Sequence, residues 1–184
     1  MYLRSVGPKP IHVMGFFIEK ILQKSYHSGV KHISHYTSKS PKETELIAFS
    51  IVKEHVLDRV HGESLMIALE GELGAGKTTF VKGFARAMGV KQKITSPTFV
   101  IMKVYELKLK NPIFQRIYHV DTYRLKDYTE LLPLGIKEIM NDPANLVLIE
   151  WSDRVSEILP KKFLKIHLDH VKEKERNITI SFLV

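Results

Sequence analysis

The densest chemical signal in the chain is the run Gly71-Glu72-Leu73-Gly74-Ala75-Gly76-Lys77-Thr78-Thr79, a complete G-x-x-x-x-G-K-[ST] pattern. Glycines at these spacings let consecutive backbone N–H groups gather around an anion where any Cβ would block the approach, which makes a cradle for phosphate oxygens. Lys77 is then placed to reach the β- and γ-phosphates of a nucleoside triphosphate, and the Thr78 hydroxyl to ligate a Mg²⁺ that bridges them. A glycine-rich turn could match the pattern by chance, but its flanks argue for the chemistry. Leu65 to Leu69 is an apolar run of buried-strand length, and Phe80, Val81, Phe84, Ala85 and Met88 recur at helical spacing until Gly89. Strand, loop and helix follow in the order that sets the phosphate against a helix N-terminus.

Such a loop needs a second acid to organise the metal, normally where a neighbouring buried strand ends. Leu146-Val147-Leu148-Ile149-Glu150 has that form, and Glu150 is expected to ligate Mg²⁺ or polarise the attacking water. Trp151, the sole tryptophan, falls on the other face from Glu150 by strand alternation, so it either packs beneath the sheet or borders the nucleotide site with its ring. His119 to Leu125 ends another predicted strand in a polar cluster. There His119 and Asp121 share a face, Asp121 reads as an outer-sphere metal partner or a turn carboxylate, and Arg124 as a phosphate or carboxylate clamp. Ser96-Pro97-Thr98-Phe99 is either a switch segment that senses the γ-phosphate or a plain turn.

The elements that must position these groups follow from periodicity. Ser40 as N-cap, Pro41 at the first helical position and Glu43 three residues after the cap open a helix of about four turns, predicted to end near His61-Gly62. Phe99 to Leu107 and Ile113 to Val120 read as a hairpin joined by Lys108 to Pro112. Leu125 to Met140 is helical with breaks at Pro133 and Gly135, and Phe163 to Leu168 pairs with Asn177 to Phe182 around the turn Lys172 to Arg176. Residues 1–38 read as an extension, flexible or with one short helix around Phe16 to Lys24, and residues 39–184 as the nucleotide-binding domain.

Length and composition set the bounds. A chain of 184 residues with 44% apolar and 26% charged residues fits one ordinary globular domain. With no cysteine, disulfide and thiolate chemistry are excluded, which suits a cytoplasmic location. Of the net +8, residues 1–40 hold six Lys or Arg against one Glu, so the rest of the chain is only mildly basic and its charge argues little for tight RNA binding.

Taken together, G-E-L-G-A-G-K-T-T, S-P-T-F, H-V-D-T-Y-R-L and L-I-E-W, in this order over about Ser40 to Ile180, resemble the TsaE family of P-loop ATPases in tRNA threonylcarbamoyladenosine biosynthesis. The resemblance implies a P-loop NTPase-type three-layer α/β sandwich around a mostly parallel sheet. It implies ATP and Mg²⁺ as cofactors, with metal on Thr78 and Glu150. Nucleotide contacts would come from Gly71, Gly74, Ala75, Gly76, Lys77, Thr78 and Thr79, with Trp151 and Arg176 near the nucleotide and the segment Ser40 to Thr44 beside the base. Lys77, Asp121 and Glu150 would carry catalysis. It further implies TsaD and TsaB as protein partners, with tRNA engaged indirectly through the complex. A small-molecule kinase is the competing class, since it uses the same loop; it would normally need an acceptor pocket and an Arg-rich lid, and no Arg-rich lid segment is legible. A nucleotide-binding interaction module without turnover is the third.

Overall fold

Alternation along two central strands sets the architecture. In the computed structural model, Leu65, Ile67 and Leu69 of one strand and Leu146 and Leu148 of its neighbour enter one apolar core, while Met66, Val147 and Ile149 enter a second core on the opposite side. A sheet apolar on both faces must be covered on both. The structure describes residues 9–13, 16–23, 30–56, 64–108 and 114–184.

The strands are β1 (Lys9–Val13), β2 (Phe16–Gln23), β3 (Val30–Ser38), β4 (Leu65–Glu70), β5 (Met102–Glu106), β6 (Arg116–Asp121), β7 (Asn145–Glu150), β8 (Phe163–His170) and β9 (Arg176–Leu183). They form one sheet in the order β1-β2-β3-β9-β8-β4-β7-β6-β5. The centre, β8-β4-β7-β6, is parallel, and both flanks are antiparallel. The expectation of a mostly parallel sheet therefore holds for the centre, where the strands are bracketed by crossovers. At the flanks, strands consecutive in sequence pair antiparallel (β1 with β2, β2 with β3, β5 with β6, β8 with β9), and β3 joins β9 in the same antiparallel sense.

Helices α1 (Pro41–His55) and α2 (Lys77–Ala87) pack together over the first core. The second core lies under two 3₁₀ turns, Tyr128–Leu134 and Ser152–Ile158, and the short helix α3 (Ile136–Asn141). Helix α1 starts as its sequence requires. The Ser40 hydroxyl accepts from the Glu43 N–H at 3.2 Å, and the Glu43 carboxylate accepts from the Lys39 N–H at 2.7 Å. The helix closes at His55, earlier than the His61-Gly62 end expected, which lies outside the described residues. The hairpin connection expected at Lys108 to Pro112 lies largely outside them too. Among the described residues no helix is long and apolar enough to cross a membrane.

The N-terminal segment departs from expectation. A strand occupies Phe16–Gln23 where a short helix was expected, and β3 pairs with β9 from Val30 to Ser38. Tyr36 of β3 is buried in the first core, so the division at residue 38, where β3 ends, leaves a strand of the domain's own sheet on the extension's side. The reason lies in tertiary pairing: the antiparallel β9 offers a ladder that local periodicity does not announce.

Candidate functional site: a phosphate loop and its acids

The parallel strands β4, β6 and β7 all end at one edge of the sheet, where open α/β folds bind ligands. Residues 71–76 leave β4 there and enter α2. Gly71 has φ +131°, and a Cβ on it would lie 2.2 Å from the Leu168 carbonyl oxygen, so only glycine passes. Gly74, at φ +79°, has nothing within 4 Å of where a Cβ would stand and opens on the cleft. Helix α2 has Gly76 as N-cap and no side-chain cap, which leaves its first-turn N–H groups for a ligand.

Above the loop is a cleft of about 390 Å³, lined among others by Gly74, Gly76, Lys77, Thr78, Thr79 and Glu150. The Thr78 hydroxyl donates to Glu150, 2.9 Å from both carboxylate oxygens. Period-2 alternation explains why Glu150 faces the loop: it shares the side of Leu146 and Leu148, the side that α2 covers. A hydroxyl and a carboxylate at this spacing are hard oxygen donors, the set that suits Mg²⁺ over softer ions.

Lys77 is buried and donates to the carbonyls of Gly71 at 2.6 Å and Glu72 at 2.9 Å. Its ammonium also lies 3.6 Å from the centroid of the Trp151 ring. Burial pushes its pKa down, opposed by the charges of Glu150, Asp121 and Asp153.

Trp151 sits just beyond β7 in a left-handed backbone conformation, φ +61°, so strand alternation does not govern it. The Thr122 hydroxyl pins this turn through the carbonyls of Glu150 at 3.0 Å and Trp151 at 2.7 Å. The ring lines the cleft with Tyr123, 4.9 Å away between centroids. Of the two placements open for Trp151, the structure takes the cleft.

Asp121 also lines the cleft, and its carboxylate is committed to the segment before β5. Its Oδ2 accepts from Ser96 Oγ at 2.8 Å and from Thr98 Oγ1, while Oδ1 accepts the Tyr123 N–H at 3.0 Å. Residues 99–101, expected to begin a strand, instead form a turn with Ile101 at φ +64°, a costly conformation for a β-branched residue. The turn exposes Phe99, 82% accessible, and the Arg124 guanidinium stacks 4.2 Å over that ring.

Thr44 and Arg176 stand on the far side of the loop, beside a second cavity of about 220 Å³ shared with Pro41, Gly74 and Gly76. The buried Thr44 hydroxyl bonds to Ser38 Oγ at 2.7 Å. Arg176 donates to the carbonyls of Ala75 and Gly74, each at 3.1 Å, and to three carbonyls of the turn before β9. Its guanidinium thus braces the loop from behind. Ala75 itself is fully buried.

Sequence reasoning missed a further contact: His119 Nε2 lies 2.7 Å from Glu150 Oε1. The signal was present, since a residue two before Asp121 on β6 faces the same side as Glu150 on the adjacent parallel strand.

A family model described as "Threonylcarbamoyl adenosine biosynthesis protein TsaE" matches residues 38–178. The tRNA threonylcarbamoyladenosine biosynthesis protein TsaE of Bacillus subtilis is 40% identical over 116 residues, covering 63% of this chain and 68% of that protein. Its namesake in Haemophilus influenzae is 34% identical over 141 residues, covering 76% of this chain and 85% of that protein. The crystal structure of YdiB from Bacillus subtilis superposes with a TM-score of 0.65 at 29% identity, covering 87% of this chain and 90% of that one. With a phosphate-loop fold, the four motifs at one sheet edge and a family match across most of its length, this chain belongs to the TsaE family.

Proposed function

We propose that this protein is a Mg²⁺-dependent ATPase that supports threonylcarbamoyladenosine formation in tRNA beside TsaD and TsaB, without itself transferring the threonylcarbamoyl group. The tRNAs concerned are those reading codons that begin with A. The observation that carries the reading is the meeting of Thr78 and Glu150 beside the glycine loop, at the mouth of an uncapped helix N-terminus. The names of the relatives supply the pathway.

In this reading the triphosphate lies along the loop and the first turn of α2. Lys77 exchanges the carbonyls of Gly71 and Glu72 for phosphate oxygens, trading neutral acceptors for charged ones, which strengthens its hydrogen bonds. Mg²⁺, when bound at Thr78 and Glu150, supplies positive charge against the β- and γ-phosphate oxygens. Glu150 holds the metal and orients water. Asp121 holds the Ser96 and Thr98 hydroxyls at the cleft, where they sense the γ-phosphate. Hydrolysis then resets the complex of partner proteins.

The test is phosphate release from ATP by the full chain with Mg²⁺, alone and with TsaD and TsaB, against Lys77→Ala. Partner-stimulated release that falls about 100- to 1,000-fold in the variant is the expected result. Wild-type release by Lys77→Ala would refute the site, and phosphorylation of an added metabolite would turn the reading to a kinase.

A further inference from the structure

Glu150 is the residue on which the proposed metal site depends, and its side chain needs holding. Its backbone is fastened by Thr122, but that bond leaves the side-chain torsions free. Only two side chains reach the carboxylate among the described residues. Thr78 does so from the cleft, and His119 from the interior, where it is 0% exposed. A bound metal would engage Thr78 itself. His119 has no such second duty.

We infer that His119 is the positioning residue of the metal-side carboxylate, and that its Nε2–H bond to Glu150 sets the affinity for Mg²⁺. The inference rests on the proposed Mg²⁺ site. A carboxylate can only accept, so the ring proton must sit on Nε2. The other ring nitrogen, Nδ1, has no hydrogen-bond partner among the described residues. The ring therefore has one polar duty in this structure, and that duty is Glu150. Partners one step behind a metal ligand typically govern metal affinity by about 10- to 100-fold.

Side-chain chemistry separates this role from packing. The amide nitrogen of glutamine can stand where imidazole Nε2 stands, whereas that of asparagine falls near Nδ1 and cannot reach Glu150. Mg²⁺ binding to the full chain loaded with ADP would be followed by calorimetry and by Trp151 fluorescence in the wild type, His119→Gln, His119→Asn and His119→Phe. His119→Gln should bind Mg²⁺ within a few-fold of wild type, and His119→Asn and His119→Phe about 10- to 100-fold more weakly, with metal-free ADP binding unchanged. Wild-type affinity in His119→Asn overturns the inference, and so does equal weakening in all three. If the wild type itself binds no Mg²⁺ with ADP, the functional reading fails along with it. Should the Asn and Phe variants not fold, the nitrogen-15 spectrum of wild-type histidines decides: an Nε2–H tautomer at His119 that shifts in Glu150→Gln supports the role, and an Nδ1–H tautomer overturns it.

Discussion

Gly83→Ala should unsettle the site from a position that touches none of it. Gly83 lies where α2 crosses α1, and a Cβ there would stand 2.3 Å from the Glu45 carbonyl oxygen and 2.5 Å from the Glu45 Cα. Backbone cannot swing aside as a side chain can, so α2 must withdraw by about 1 Å to restore van der Waals contact. Alanine gains about 1 kcal/mol in helix propensity, whereas overpacking costs about 1–3 kcal/mol, and a clash with backbone belongs at the upper end. The net loss is about 1–2 kcal/mol. For a domain of this size that lowers Tm by about 2–8 °C. Lys77 and Thr78 begin the same helix, so the withdrawal carries them away from Glu150, and a displacement of about 1 Å can cost about 100-fold in rate. Thermal melting by circular dichroism and ATP turnover check both halves. An unchanged or raised Tm would refute the reasoning, because propensity alone would then have decided the outcome.

Glu150→Gln preserves shape while removing charge, so nucleotide should still bind while hydrolysis falls by about 100- to 10,000-fold; unchanged phosphate release would make Asp121 the leading acid. Because the Lys77 ammonium lies 3.6 Å over the Trp151 ring and is expected to leave it for phosphate, tryptophan fluorescence should change on adding ATP or ADP. A flat response at saturation would contradict that movement. Deleting residues 1–29 keeps β3 and should leave a folded protein that binds nucleotide, whereas deleting residues 1–38 removes the buried Tyr36 and uncovers β9, at a cost of at least about 3–5 kcal/mol. Equal melting temperatures for the two truncations would show that β3 adds nothing.

The chemistry of this protein is legible in its sequence because it is local. The loop's glycines, Lys77 and Thr78 are contiguous, and glycine at these spacings answers to backbone sterics that need no tertiary context. The Ser40 cap of α1 is local in the same way, and Glu150 could be read as a site acid because an apolar run that ends in a charge marks a buried strand leaving the sheet. Everything that depends on distant partners was decided by the fold. Strand β3 exists because β9 pairs with it across the length of the chain, and a ladder of that kind leaves no trace in the periodicity of residues 30–38. The end of β7 at Glu150 puts Trp151 into a left-handed turn held by Thr122, which took it out of the alternation that would have been used to place it. Asp121 is committed to Ser96 and Thr98, Arg176 to the loop carbonyls and His119 to Glu150 only once the sheet is assembled, because their hydrogen bonds span tens of residues of sequence. A motif specifies which groups can do the chemistry; the packing of the sheet specifies which of them hold one another in place.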